Sequence, residues 1–166
     1  SAINQTIAPN EIIIADDGSD DRTRQLVHRY SKKSRIPIIH VWQKDKGFRV
    51  ARIRNKALAK IRSPYVILVD GDILMEPHFV EDHLKLAKLG CFIQGGRILL
   101  DRALTSELLA DSSNLKYPNM FQLGFERKRF EKRVSGFRNL LLAQLTLKNL
   151  ANNRNKVRSC NMSFYM

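Results

Sequence analysis

The amino-acid sequence predicts an α/β fold, with a mainly parallel central sheet flanked by helices and a more helical, basic C-terminal part. Short apolar runs rich in isoleucine and valine alternate with amphipathic segments of helical length over the first hundred residues. Such alternation is typical of strand–helix–strand units, in which the strands run parallel. The chain has 166 residues, of which 43% are hydrophobic, and this is enough for the core of one domain.

Five strands are predicted, and each follows from an apolar run that is bounded by turn residues. The first, at residues 11–15, contains three consecutive isoleucines and ends at an acidic turn. The last, at 157–165, is weaker in pattern. The three strands between them are expected at 36–42, 64–69 and 91–100, and the two adjacent glycines Gly95 and Gly96 should interrupt the strand at 91–100.

Helices are predicted where apolar residues recur with helical spacing. The first is expected at 19–33, with Ser19 as its N-terminal cap and two aspartates near its positive end. The third should begin at Pro77, since proline suits the first turn of a helix. The remaining helical segments are expected at 48–62, 104–110, 121–130 and 134–150, and the helix that begins at Pro77 should end near Gly90.

The charge of the chain is large and uneven. It carries 29 Lys and Arg residues against 16 Asp and Glu, a formal net charge of +13. Residues 1–21 have a net charge of −5, whereas residues 126–158 hold ten basic residues against two acidic ones, a net charge of +8. Such an excess attracts an anionic partner: a nucleic acid, an acidic lipid surface or a phosphorylated small molecule. Composition alone does not indicate which of these three partners is bound.

The composition argues against several other classes of protein. Cys91 and Cys160 lack the paired spacing of a disulfide scaffold, a zinc knuckle or a redox motif. The longest apolar run in the C-terminal half is Leu140–Ala143, far below the roughly 18 residues that a membrane span needs. The sequence therefore predicts no membrane-spanning segment.

Two pairs of acidic residues follow predicted strands, Asp16 and Asp17 after the first strand and Asp70 and Asp72 after the third. Ligands of open α/β sheets bind at the carboxyl ends of the strands, so these side chains are candidates for a binding site. Gly71 has no Cβ to crowd a ligand, and carboxylate oxygens suit a hard divalent cation such as Mg²⁺ or Mn²⁺. Asp-Gly-Asp is also common in simple turns, but its position directly after a buried strand favours the site.

Two basic residues are further candidates. Arg54 falls inside the apolar stripe of the helix predicted at 48–62. This stripe faces the core, where an unpaired charge is strongly unfavourable. Asp17 or a bound nucleotide could supply the anion, and a purely structural Arg–Asp pair is the alternative. Lys46, just before Gly47, is a candidate for a phosphate or base contact.

Four blocks of the sequence, taken together and in this order, resemble a family 2 glycosyltransferase with the Rossmann-like GT-A fold. The blocks read NQT and EIIIADDGSDD within residues 4–21, KGFR and RNKAL within 46–58, YVILVDGD at 65–72, and RSCNMSF at 158–164. The third block resembles the family's Asp-x-Asp strand, and the fourth its acceptor-side block. The resemblance is greatest to bacterial enzymes that extend lipopolysaccharide, capsule or related envelope glycans.

The resemblance implies transfer of a sugar from a nucleotide-diphosphate donor, most often UDP-linked, with inversion at the anomeric carbon and Mn²⁺ or Mg²⁺ as the cofactor. It places Asn161 on the acceptor side, and Lys46 is grouped with the nucleotide-sugar-binding residues. The other implied roles are base binding for Asp17, support of the same pocket for Asp16, contact with the base or diphosphate for Arg54, approach to the ribose for Asp70, and metal binding for Asp72.

The chain also departs from the family pattern. The family's first strand would precede residue 4, and its general base lies beyond the last block, so we expect a chain truncated at both ends with its general base beyond Met166. Losing a general base forfeits about 10²- to 10⁴-fold in rate. We therefore predict one partial domain over 1–166, with a nucleotide-sugar-binding half at 1–100 and a basic, helical acceptor-side half at 101–166.

Two other functions remain open from the residues alone. A sugar nucleotidyltransferase also uses an α/β sheet with acidic metal ligands, but it usually carries a Gly-rich basic loop where this chain has its acidic turn at 16–21. A nucleic-acid-binding module would use the basic segment 126–158, in and beside which three phenylalanines are interleaved. That segment lacks a periodic aromatic platform, so no nucleic-acid partner is expected.

The same basic segment is compatible with an anionic membrane surface as a partner. Residues 134–150 contain nine apolar residues among seventeen and lie between basic clusters at 127–129 and 154–156, which is typical of a helix on anionic lipid. The alternative, which is slightly favoured, is a helix packed on the sheet with a solvated basic rim. The expected location is cytoplasmic, and a helix on the inner face of the membrane would bring the chain to a glycan or lipid-linked acceptor.

Overall fold

The computed structural model describes residues 1–110 and 160–166, which contain five strands and four helices. The strands are β1 (Ile12–Asp16), β2 (Ile38–Trp42), β3 (Tyr65–Val69), β4 (Phe92–Gln94) and β5 (Asn161–Tyr165). The helices are α1 (Asp21–Lys33), α2 (Val50–Leu58), α3 (Phe79–Leu86) and α4 (Arg102–Ala110). The helices predicted at 121–130 and 134–150, the basic segment 126–158 and the start of the strand predicted at 157–165 lie outside the described residues.

The strands form two sheets. β1 and β2 pair in parallel, with Ile12 opposite Ile38 and Asp16 opposite Trp42. In the second sheet β5 lies between β3 and β4 and is antiparallel to both. β3 and β4 therefore run in the same direction, as expected for strands that a helical crossover connects. The predicted α/β class is confirmed, and β5 is the strand that departs from a parallel arrangement in the described part of the chain.

Several element ends differ from the predicted ones. The cap of α1 is Asp20 rather than Ser19, because the helix begins at Asp21 and the Asp20 side chain accepts the N–H of Arg22. α2 ends four residues earlier than predicted, and tighter turns continue the chain to residue 61. β4 covers three residues instead of ten, because the chain leaves the ladder at Gly95.

The residues before β1 hold the start of α3. Oε1 of Gln5 accepts the N–H of Val80 at 3.0 Å, and its Nε2 donates to the carbonyl of Glu76 at 3.0 Å. The N–H of Thr6 donates to the carbonyl of Pro77 at 2.8 Å. The first N–H groups of a helix have no partner within the helix, so the contact of Gln5 with the N–H of Val80 stabilises it, and the other two contacts fix the turn before it. Their contacts with the start of α3 therefore explain Gln5 and Thr6 in the first of the four sequence blocks.

The apolar core draws on three helices and the three-stranded sheet. Ile53 and Ala57 on α2 are buried, which confirms the predicted apolar stripe of that helix. The other buried apolar side chains among the described residues are Val66, Val80, Ile93 and Leu104. None of the helices within residues 1–110 is long and apolar enough to cross a membrane.

Candidate functional site

Asp16 ends β1 and is buried, with 5% of its surface exposed. One carboxylate oxygen accepts the N–H groups of Gly18 at 3.1 Å and Ser19 at 2.8 Å, and the other lies 2.8 Å from Nε2 of His40 on β2. Burial alone would raise the pKa of this carboxyl, but the hydrogen bonds from Ser19, His40 and Gly18 hold the pKa below its usual value. Asp16 therefore builds the turn that carries Asp17.

Asp17 follows β1 and has its carboxylate fixed by two donors. Oδ1 accepts from Nε2 of Gln43 at 2.5 Å, and Oδ2 accepts from the backbone N–H of Arg49 at 2.7 Å. The hydrogen bond from Gln43, then that from the Arg49 backbone and the Arg49 charge, hold the pKa of Asp17 below its usual value. Asp17 is thus ionised at neutral pH, which is the state in which a carboxylate accepts hydrogen bonds from a ligand.

The loop between β2 and α2, residues 43–49, packs against the turn after β1. Gly18 has a φ of 106°, and a Cβ at this position would lie 2.6 Å from the backbone of Asp45. Glycine meets both demands, the left-handed backbone and the close approach. Lys46 is exposed in this loop, three residues before the Arg49 N–H that binds Asp17. Its contact with a phosphate or base stays a prediction.

Among the described residues Arg54 pairs with Asp70, and the suggestion that it pairs with Asp17 was wrong. Nη2 of Arg54 donates to Oδ1 of Asp70 at 2.8 Å, and the two side chains are 26% and 38% exposed. Asp17 is instead held by Gln43 and Arg49. The pair corresponds to the structural Arg–Asp alternative, and it joins α2 to the carboxyl end of β3 while leaving both groups partly open to a ligand.

Asp72 is exposed in the turn that follows β3, where the N–H of Ile73 donates to the carbonyl of Asp70 at 3.2 Å. Within residues 1–110 and 160–166, no three side chains of metal-binding type converge on one point. One carboxylate is nevertheless compatible with a Mg²⁺ or Mn²⁺ ion that takes its other ligands from a diphosphate and water. The side chains present therefore fit an ion that binds together with a nucleotide, and this assignment stays a prediction.

Asn161 is buried on β5, opposite Val69. Its Oδ1 lies 2.9 Å from Nε2 of His83 on α3, and its Nδ2 donates to the carbonyl of Gly96 at 3.1 Å. A Cβ on Gly95 would lie 2.2 Å from the amide nitrogen of Asn161, which explains why glycine stands where the predicted strand is interrupted. The Asn161 side chain thus binds other parts of the protein, and its acceptor-side role stays a prediction.

His83 is the centre of a buried polar cluster. Its Nδ1 lies 2.6 Å from Oγ of Ser163, which lies 2.6 Å from the hydroxyl of Tyr65. Burial lowers the pKa of His83, which favours the neutral ring. Because Oδ1 of Asn161 can only accept, Nε2 of the neutral ring carries the hydrogen and Ser163 donates to Nδ1. The cluster ties α3 to β3 and β5.

Three residues that shape this site were not predicted from the sequence to belong to it. Gln43 follows β2 directly, so the strand-end rule that selected Asp16 and Asp17 could have selected it as well. His40 lies within a strand and gave no signal. Arg49 contributes a backbone N–H to Asp17, and a backbone donor cannot be inferred from the type of side chain.

Comparison with known proteins identifies the family of this chain. Residues 1–142 match the family described as Glycosyl transferase family 2. The chain belongs to this family, and its fold is the GT-A fold that the resemblance implied. A nucleotide-sugar donor and an acceptor are general to the family. The match favours a glycosyltransferase over the sugar nucleotidyltransferase and the nucleic-acid-binding module.

Relatives with assigned activities are similar over about half of the chain. The chain is 38% identical to the validoxylamine A glucosyltransferase of Streptomyces hygroscopicus subsp. limoneus over 82 residues, 48% of this chain and 18% of the relative. It is 33% identical to the chondroitin synthase of Escherichia coli over 82 residues, 49% of this chain and 12% of the relative. It is 38% identical to the cholesterol galactosyltransferase of Borreliella burgdorferi over 81 residues, 48% of this chain and 22% of the relative. The match spans less than a quarter of the length of each of these relatives.

Proposed function

We propose that this chain binds a UDP-linked sugar for a metal-dependent, inverting glycosyl transfer to a glycan or lipid-linked acceptor of the bacterial envelope. One observation carries the proposal: two acidic strand ends are held in ordered hydrogen-bond networks. Asp17 is fixed by Gln43 and by the backbone of Arg49, and Asp70 is paired with Arg54. Nucleotides bind at such strand ends in open α/β sheets.

Each carboxylate suits a different part of the donor. Asp17, ionised and fixed, can accept a hydrogen bond from an N–H of the base. Asp70 can approach a ribose hydroxyl, while the guanidinium of Arg54 lies close enough to the same strand end to attract a phosphate. Asp72 would hold Mg²⁺ or Mn²⁺, and the bound ion would offset the negative charge that develops on the leaving diphosphate.

Calorimetric titration with UDP tests the proposal. We expect the chain to bind UDP in the presence of Mn²⁺ or Mg²⁺, and EDTA to weaken this binding by about tenfold or more, as for a lost charge-assisted contact. Asp72→Asn should remove the effect of the metal. Asp21→Asn is the matched control, because it makes the same change at an exposed aspartate of α1.

Two results would count against the donor site. One is a chain that binds no nucleotide in a panel of UDP, CDP and GDP, with or without metal. The other is an Asp72→Asn variant that binds UDP with Mn²⁺ as tightly as the parent. Either result leaves the membership of the family unchanged and removes the donor role proposed for these residues.

A position on the membrane, near the acceptor, is proposed from the charge of the sequence. The +8 segment at 126–158 supports a peripheral position on an anionic membrane at the cytoplasmic face, near a lipid-linked acceptor. Flotation with vesicles tests this: we expect recovery of the chain with vesicles that contain anionic lipid and loss of recovery at high salt. Equal recovery with neutral and anionic vesicles would contradict the electrostatic attraction.

A further inference from the structure

Gln43 lies directly after β2 and faces the turn that carries Asp17. The parallel register places Asp16 opposite Trp42, and the N–H of Gln43 donates to the carbonyl of Asp16 at 3.1 Å. The pairing of the two strands thus continues one residue beyond β2. Gln43 is therefore held at the carboxyl edge of this sheet, beside the carboxylate for which we propose base binding.

The orientation of the Gln43 amide is set by its surroundings. Nε2 donates to Oδ1 of Asp17 at 2.5 Å and to the carbonyl of Arg49 at 3.4 Å. The opposite orientation would direct Oε1 at a carboxylate and a carbonyl, and neither group can donate a hydrogen bond. Gln43 can therefore face Asp17 only as a donor.

Packing alone does not explain a glutamine at this position. Gln43 is buried, with 5% of its surface exposed, and Oε1 has no hydrogen-bond partner within the described part of the chain. A buried acceptor without a partner is unfavourable, so packing by itself would favour an apolar side chain of similar size. The polar side chain is explained by what its nitrogen does for Asp17.

We propose that Gln43 is a positioning residue for nucleotide binding. It holds Oδ1 of Asp17 from β2 while the backbone N–H of Arg49 holds Oδ2, and together they fix the orientation in which the carboxylate meets the base. This inference rests on the proposed function, because Asp17 needs a ligand on which to act. Gln43 acts through Asp17, so its loss matters for binding only while Asp17 is present.

A double-mutant cycle on UDP binding tests this dependence. The affinity for UDP with Mn²⁺ is measured by calorimetry for the parent, Gln43→Leu, Asp17→Asn and the variant with both changes. We expect Gln43→Leu to weaken UDP binding by about tenfold in the parent, as for a lost hydrogen bond to a charged group. In the Asp17→Asn background we expect the same change to weaken binding by less than about twofold.

A matched control and a second variant keep the result clear. Gln5→Leu makes the same substitution at a glutamine that binds backbone groups at the start of α3, and we expect it to leave the UDP affinity unchanged. Gln43→Glu preserves the size of the side chain in case Gln43→Leu unfolds. Its carboxylate would repel Asp17, so this variant should bind UDP more weakly than the parent, and the loss should vanish with Asp17→Asn.

The outcomes separate this inference from the proposed function. If the parent binds UDP and the Gln43 changes have no effect, or have equal effects with and without Asp17, the positioning role is overturned and UDP binding stands. If the parent does not bind UDP, the proposed function is overturned and the positioning role with it.

Discussion

At the scale of single residues, backbone groups contribute to this site as much as side chains do. The N–H groups of Gly18 and Ser19 hold Asp16, and that of Arg49 holds Asp17. Such donors depend on the backbone angles of the turn rather than on the type of side chain. The site should therefore respond to substitutions that leave every charged group in place.

Gly18→Ala should destabilise the fold by about 1–3 kcal/mol, because a Cβ at a φ of 106° is strained and would lie 2.6 Å from the backbone of Asp45. Gly47→Ala is the control, since Gly47 also has a positive φ, of 81°, but nothing lies within 4 Å of its Cβ position. We expect a smaller loss there. Urea unfolding followed by circular dichroism measures both, and equal losses would show that the approach of Asp45 adds nothing.

Asp16→Asn should destabilise the fold in a pH-dependent way. The pKa of Asp16 is lower in the folded than in the unfolded chain, so its carboxylate stabilises the fold above the unfolded pKa of about 3.9. This contribution is lost as the pH falls through the folded pKa. We expect the variant to be less stable by about 2 kcal/mol at pH 7, as for hydrogen bonds to a charged group. The difference should shrink below about pH 4, and a constant difference in urea midpoints across that range would contradict the role of the ionised form.

At the scale of helices and strands, the sequence locates elements better than their ends. The apolar runs of β1, β2 and β3 predict strands within two residues of the observed bounds, because alternation with polar turns is a local pattern. The interruption at Gly95 was predicted, but not that β4 ends there, because Gly95 packs against the side-chain amide of Asn161, a residue far away in the sequence.

The candidate site was predictable to a similar degree. The strand-end rule locates the four aspartates, since it needs only the order of strands and turns. The pairing of Arg54 with Asp70 could not be predicted, because it depends on how α2 packs against the end of β3. The donor role of Gln43 depends in the same way on the register of β1 and β2.

Gly95→Ala and Gly96→Ala should differ sharply in stability. A Cβ at Gly95 would lie 2.2 Å from the side chain of Asn161, whereas nothing lies within 4 Å of a Cβ at Gly96. We expect a loss of about 1–3 kcal/mol for the first, as for overpacking, and within about 0.5 kcal/mol of the parent for the second. Thermal melting measures both, and similar melting temperatures for the two variants would contradict the contact with Asn161.

At the scale of the whole molecule, burial is unevenly distributed over the described residues. β5 is paired on both sides, and its buried Ser163 joins the polar cluster around His83. By contrast, α1 contains no buried residue. Regions with few buried contacts open at lower free energy than paired central strands do.

Native-state hydrogen exchange should follow this distribution. We expect the amides of β5 and β3 to exchange most slowly among the described residues and those of α1 to exchange much faster. The destabilising change Gly95→Ala should accelerate exchange in β3, β4 and β5 together, because β5 joins the other two. Acceleration confined to the residues around Gly95 would show that the three strands do not open as one unit.

The position of β5 between β3 and β4 also determines when the three-stranded sheet can form during synthesis. Val69 pairs with Asn161, and the N–H of Asp70 donates to the carbonyl of Cys160, so the end of β3 is secured by residues made about ninety positions later. At translation rates of about 5–20 residues per second, β3 leaves the ribosome about 5–20 s before the strand that fills its open edge. During that interval β3 and β4 have no β5 between them, and an unpaired strand edge is a template for association with other chains. The turn that carries Asp70 and Asp72 is therefore secured only when β5 emerges, and chaperone demand should fall at that point.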